Sequence, residues 1–234
     1  MAINPTGFAS HLDRDLLKNA IELGGSLQTG NNPATTVLGK FTSDLDINYL
    51  DNPWGYSYLL SGRRATARGI ETARMARTHA EGRYLFSPRT YLFTKINYVY
   101  NAYDVYDIVV RDSTGLGQIL IKDERQKLTV EAGPGSTHQR IAGPDTWQNQ
   151  FIGHAESNYL LHLSENAEFT QDVSVDVGSI NTFVRAISGI KTSILSNVDL
   201  RLSFEIDYYS TIPPQSTNTK KTDTYTDIAL VYKF

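Results

Sequence analysis

The sequence predicts an all-β protein, a single antiparallel transmembrane β-barrel of about 12 strands with a short N-terminal segment in front of it. Three observations carry this. The chain ends in Thr222–Phe234, where Ile228, Leu230, Tyr232 and Phe234 share one face and Asp223, Tyr225, Asp227 and Lys233 the other, a strict period of two. Similar segments of about 10–15 residues recur from residue 20 onward, longer than soluble sandwich strands and long enough to span a bilayer. Charge falls almost entirely on one of the two faces, which suits a wall between lipid and a polar interior. No apolar run approaches the roughly 20 residues of a membrane-spanning helix, so a membrane location requires a closed barrel.

Residues 1–19 precede the barrel. Ser10 followed by Asp13 resembles a capping box, and Leu12, Leu16, Leu17 and Ala20 share a helical face, so the segment reads as a short helix, a plug or a tail at the periplasmic mouth. Ala20–Thr29 alternates up to Gly30-Asn31-Asn32-Pro33. Thr35–Leu50 sets Val37, Gly39, Phe41, Leu45 and Ile47 against Lys40, Asp44 and Asp46. Asp51-Asn52-Pro53 turns the chain into Gly55–Ala65. Glu71–Leu85 gathers Arg77, His79, Glu81 and Arg83 on one face, and Thr90–Asn101 is rich in aromatics. Val105–Lys122 contains Gly115 and Gly117 and reads as kinked or bulged. Gln126–Arg140 contains Pro134 between two glycines, again read as a bulge. Ile141–Gln150 reads as a loop, followed by Phe151–Leu163, Ala167–Val177, Thr182–Leu195 and Asp199–Thr211. Ile212–Lys221 is a second long loop. With both termini periplasmic, Asp51–Trp54, Ser87–Arg89, Asp123–Arg125, Ser164–Asn166 and Ser196–Asn197 become periplasmic turns, and the two long loops face outward.

Composition narrows the class. Net charge is −3 and pI about 5.9, which gives no basic surface for nucleic acid. With no cysteine there is neither a disulfide nor a thiolate metal site. Met1-Ala2-Ile3 lacks the basic start and apolar core of a secretory signal. The chain therefore reads as the mature segment of an exported protein, expected in the outer membrane of a Gram-negative bacterium.

Several segments resemble one family. They are Val130–Gly135, Glu165–Gln171, Pro213–Asp223, Arg89–Phe93 and the turn at Thr29–Asn31. In order and spacing they are similar to the YdiY-like salt-induced outer-membrane proteins, a domain of unknown function, over about residues 20–234. The resemblance implies an outer-membrane barrel and no agreed substrate. The turn Gln28-Thr29-Gly30-Asn31 departs slightly from the serine-glycine-asparagine form of the family.

The inward faces supply the lumen-lining candidates: Lys40, Asp44, Asp46, Arg63, Arg77, Glu81, Arg83, Lys95, Glu131, Glu156, Asp172, Asp176, Arg201, Glu205, Asp207 and Asp227. They point to a narrow porin-like channel for small hydrophilic solutes or ions. The same charges would also fill a closed structural barrel with ion pairs, leaving its outer loops for adhesion, phage attachment or envelope integrity under osmotic stress. A third reading, an outer-membrane lipid hydrolase, needs Ser and His on the outer wall. His79 and His162 read as inward, His154 with Ser157 is a chance-level pair, and no nucleophile elbow or H-E-x-x-H is present, so no catalytic residue is assigned. Asp44 with Asp46, or Asp172 with Asp176, would offer a cation oxygen ligands, but such spacing is equally that of a wet lumen, and neither metal nor cofactor is expected. Leu230, Tyr232 and Phe234 resemble the C-terminal signal read by the barrel-assembly machinery. Outer-membrane lipid and lipopolysaccharide complete the expected partners.

Overall fold

A computed structural model describes residues 17–29, 34–47, 52–67, 70–143, 146–213 and 220–234. The helix expected near the N-terminus falls on residues 1–16, outside the described residues, while Leu17, Lys18 and Asn19 already belong to the first strand. Twelve antiparallel strands follow: β1 (Leu17–Thr29), β2 (Ala34–Leu45), β3 (Trp54–Ala67), β4 (Ile70–Leu85), β5 (Thr90–Asn101), β6 (Tyr106–Lys122), β7 (Gln126–Ile141), β8 (Thr146–Ser164), β9 (Ala167–Gly178), β10 (Thr182–Leu195), β11 (Val198–Tyr209) and β12 (Thr222–Lys233). Each pairs with its sequence neighbours, and β1 pairs with β12 from Ala20–Lys233 to Thr29–Thr224, so the sheet closes without an edge.

The side chains sort inside out relative to a soluble protein. Glu22, Lys95, Arg111, Glu131, His154, Asp199 and Glu205 are buried. Leu23, Val37, Leu92, Leu116, Phe151, Ile228 and Leu230 are exposed, Phe151 by 91%. In lipid this arrangement costs nothing on the outside and keeps charge off the hydrocarbon, whereas in water the outer wall would be a large apolar surface.

Three expectations are corrected. Thr146–Gln150 is strand, not loop: Thr146 to Gln150 pair with Ile141 to Thr137, and Gln139 donates from Nε2 to Gln148 Oε1 at 3.1 Å. The inward positions there carry glutamine rather than charge, so the segment lacks the contrast that marks the other strands. The chain turns at Ala142 and Gly143, the latter at φ 92°, where a side chain would be strained. Second, Pro134 causes no bulge. Register is constant from Ser113–Gly135 to Leu116–Ala132, and the ladder simply lacks bridges between those pairs, where the proline has no N–H to give. The irregularities of β6 lie at Tyr106/Ile108 and Ile119/Ile121 instead of at Gly115 or Gly117. Third, Ile47 is buried inward instead of facing lipid. β2 ends at Leu45, the Ile47 N–H donates to Asp46 Oδ1 at 2.9 Å, and the Ile47 side chain packs with Leu85, Tyr91, Phe93 and Ile119.

Candidate functional site: a charged lumen

Alternation along every strand delivers one face to the interior, and closure brings together charges far apart in sequence. Around the middle of the barrel Arg77 donates from Nη1 to Glu205 at 2.5 Å and lies 3.2 Å from Asp207. Arg185 pairs with Asp207 through Nε at 2.8 Å. Arg63 reaches Asp227 at 2.7 Å and lies over the Tyr225 ring. On the first strand Glu22 takes Lys40 at 2.7 Å and Arg201 at 2.6 Å.

Nearer the rim that carries the termini, Lys95 is the hub. Its ammonium donates to Glu131 and to Glu156 (2.9 Å) and lies 3.6 Å from Glu81. Tyr91 donates its hydroxyl to Glu131 at 2.8 Å, and Arg83 stands 3.5 Å from Glu81. Glu131, His154 and Glu156 are close enough together to hold a cation, but Lys95 already supplies one there. The aspartates paired in sequence part company: Asp44 accepts from Ser57 at 2.5 Å, while Asp46 takes Lys127 at 3.1 Å. Burial alone would raise the Asp46 carboxyl; Lys127 and the Ile47 N–H outweigh it and hold it below its ordinary value. Asp176 binds His154 Nδ1 at 2.6 Å and lies 3.6 Å from Arg111, and Asp172 lines two adjoining cavities.

The interior is hollow but uneven. A cavity of about 580 Å³ opens among Leu17, Glu22, Lys40, Arg201, Lys233 and Phe234 at the terminal rim. A second of about 310 Å³ lies between Asp44, His79, Glu81, Lys127 and Asp172. The central one, also about 310 Å³, is walled by Lys40, Arg63, Arg77, Arg201, Glu205 and Asp227. Arg63 Nη1, Arg77 Nε and Arg201 Nε have no hydrogen-bond partner among the described residues. Beyond them the space shrinks to about 20 Å³ between Asp104, Arg185, Asp207, Tyr209, Asp223 and Tyr225. Tyr106, Val109 and Ile141, packed against Val99, Val105 and Tyr209, narrow that end. Phe183 packs on Tyr209 with centroids 4.8 Å apart and the rings tilted by 46°, and the Arg111 guanidinium lies 3.9 Å above Phe183. In the turn between β5 and β6, burial pushes the Asp104 carboxyl up to about 7, with nearby Asp223 adding to it.

Sequence reasoning missed Glu22, Arg111, Arg185 and Asp199, all part of this interior. Glu22 stands between Ile21 and Leu23, so period-two reading alone would have found it. Arg111 is followed by Asp112, and only the burial of Val109 two residues earlier shows which of the two is inside. His154 faces inward while Ser157 lies an odd number of positions away on β8, on the opposite face, so they form no catalytic pair. His162 is exposed at the end of β8.

Residues 21–234 match a family model described as protein of unknown function, DUF481. An uncharacterised Escherichia coli (strain K12) protein, YdiY, is 22% identical over 215 residues, covering 91% of this chain and 81% of that protein. Among solved structures the NanC porin superposes with TM-score 0.60 at 6% identity, over 92% of this chain and 100% of that one. The KdgM porin gives 0.50 at 8%, over 92% and 99%. These structures share the barrel fold.

Proposed function

We propose, from the premise that this chain belongs to the DUF481 family of proteins of unknown function, that it works in the outer membrane of a Gram-negative bacterium as a narrow porin-like channel for small hydrophilic solutes or ions. The observation that carries this is the line of charged cavities from the terminal rim to a constriction, among the described residues, at Asp104, Arg185, Tyr209 and Tyr225. A barrel with a purely structural interior has no use for that space. Fixed charges on both sides of the path replace part of a solute's hydration, and the constriction sets its size. The structural neighbours named above are porins, which accords with this reading.

Planar-bilayer recording tests it. The refolded barrel is expected to give a small unit conductance, and Phe183→Ala with Tyr209→Ala a several-fold larger one, because the ring pair flanks the narrowest point. Silence from both, with and without residues 1–16, would overturn the channel. The apolar cluster around Tyr106 and Ile141 favours one other reading, a closed barrel acting through its outer loops, and silence supports it.

Assembly gives a separate expectation. Leu230, Tyr232 and Phe234 are exposed on the lipid side, Tyr232 and Phe234 stack with centroids 6.0 Å apart, and the Phe234 N–H donates to Asn19 O at 3.1 Å. Deleting Phe234 is expected to impair insertion in cells more than refolding in detergent. Equal loss in the two assays would reduce the aromatic to a packing role.

A further inference from the structure

On the lipid-facing wall, towards the rim opposite the termini, two arginines stand directly opposite each other. Arg64 on β3 pairs with Arg74 on β4, and both side chains point outward, 73% and 56% exposed. Their strand neighbours Ala65, Ala73 and Met75 are buried inward, which fixes the direction. Like charges facing across a ladder repel, and a guanidinium against hydrocarbon is costly except near the interface. Such a pair needs an anion between its members.

The chain provides one carboxylate for two guanidiniums. A register shift between Ala65 and Thr66 sets Glu71 opposite Thr66, and so on the outer face. Glu71 then meets Arg64 Nε at 2.8 Å and Arg74 Nε at 3.4 Å and accepts the Tyr103 hydroxyl at 3.2 Å. The carboxylate is mostly covered while the guanidiniums are mostly exposed, so the patch retains one net positive charge and N–H donors turned outward. Around it the wall is apolar: Val37 pairs with Arg64, and Ile70 opens β4. Both are among the most exposed aliphatics of the molecule, at 75% and 70%. A fork of donors with apolar contacts beside it suits an amphiphile whose anionic group sits at the membrane interface.

We infer that Arg64 and Arg74, oriented by Glu71 and flanked by Val37, Ile70 and Tyr103, form a binding site for a phosphate group of lipopolysaccharide, the lipid's acyl chains lying along the adjoining wall. Guanidinium forks match phosphate oxygens in geometry and charge, and Glu71 holds the two forks in place by their Nε atoms. The inference rests on the barrel standing in the outer membrane with this rim outward, but not on conduction through it.

The test is binding of labelled lipopolysaccharide to the refolded barrel in detergent, with EDTA present so that divalent cations bridge nothing. Arg64→Gln with Arg74→Gln is expected to weaken binding at least about tenfold, with folding checked by heat-modifiable migration. Glu71→Gln is expected to bind at least as tightly as the wild type, since the amide oxygen still accepts from the Nε atoms while the competing negative charge is gone. Phosphatidylglycerol and inorganic phosphate are expected to compete poorly. Unchanged affinity in the double variant would overturn the site, as would a loss in Glu71→Gln equal to that of the double variant. Equal competition by phosphatidylglycerol would overturn the assignment to lipopolysaccharide. A barrel that conducts but fails these tests loses the site and keeps the channel.

Discussion

Lys95→Met is expected to destabilise the barrel by about 3–5 kcal/mol, the cost of breaking a buried ion pair from one side. The Lys95 side chain is 1% exposed and its ammonium is shared by Glu131, Glu156 and Glu81. Methionine fills nearly the same space, so the loss reports charge rather than volume. The three carboxylates are not equally stranded. Glu81 retains Arg83 at 3.5 Å, and Glu156 retains His154 at 3.4 Å. Among the described residues Glu131 retains the Tyr91 hydroxyl, which donates a hydrogen bond but no charge. Adding Glu131→Gln to Lys95→Met is therefore expected to recover most of the stability, and Glu156→Gln much less. Urea unfolding in detergent, followed by tryptophan fluorescence, reads the midpoints. A Lys95→Met midpoint equal to wild type would show that the hub is not a stabilising element.

The second large effect is expected at the seam where the first strand meets the last. Gly24 pairs with Ala229, and a Cβ at Gly24 would lie 2.2 Å from Ile228 O and 2.7 Å from Ala229 Cα. Backbone cannot yield as a flexible side chain does, so Gly24→Val must spread β1 from β12 or twist it. Overpacking of this kind typically costs about 1–3 kcal/mol, and here it falls on the pairing that removes the sheet's edges. The folded, heat-modifiable fraction after refolding is expected to drop sharply. Gly62→Ala is the matched control, because nothing lies within 4 Å of its Cβ position. If both variants refold alike, the close approach at the seam does not govern closure.

The barrel itself was legible because period two needs no tertiary information. In β12 the alternation of Asp223, Tyr225 and Asp227 with Thr224, Thr226 and Ile228 states which side is lipid before any partner strand is known. The lumen charges were legible for the same reason. Their partners were not: Arg77 and Glu205 meet across the interior, 128 positions apart, and only closure with the observed register brings them together. Local departures from period two were the other blind spot. Ile47 follows the end of β2 and turns inward to pack with Leu85, Tyr91, Phe93 and Ile119. Glu71 reaches the outer wall only because the ladder slips by one residue. Neither event leaves a mark in the composition around it.

The narrowing at Asp104 and Tyr209 lies at one end of the lumen and the roomy mouth at the other. On the proposed channel function, a filter built this way behaves like an asymmetric filtration membrane, with a thin selective skin on a porous support. With the skin towards the surroundings, an oversized molecule is turned away before it enters, so it never lodges in the passage behind. On that reading, whatever clears the skin meets the larger cavities behind it. Sorting on that reading falls to one thin layer of side chains, and the remaining length of the barrel is free to be conduit.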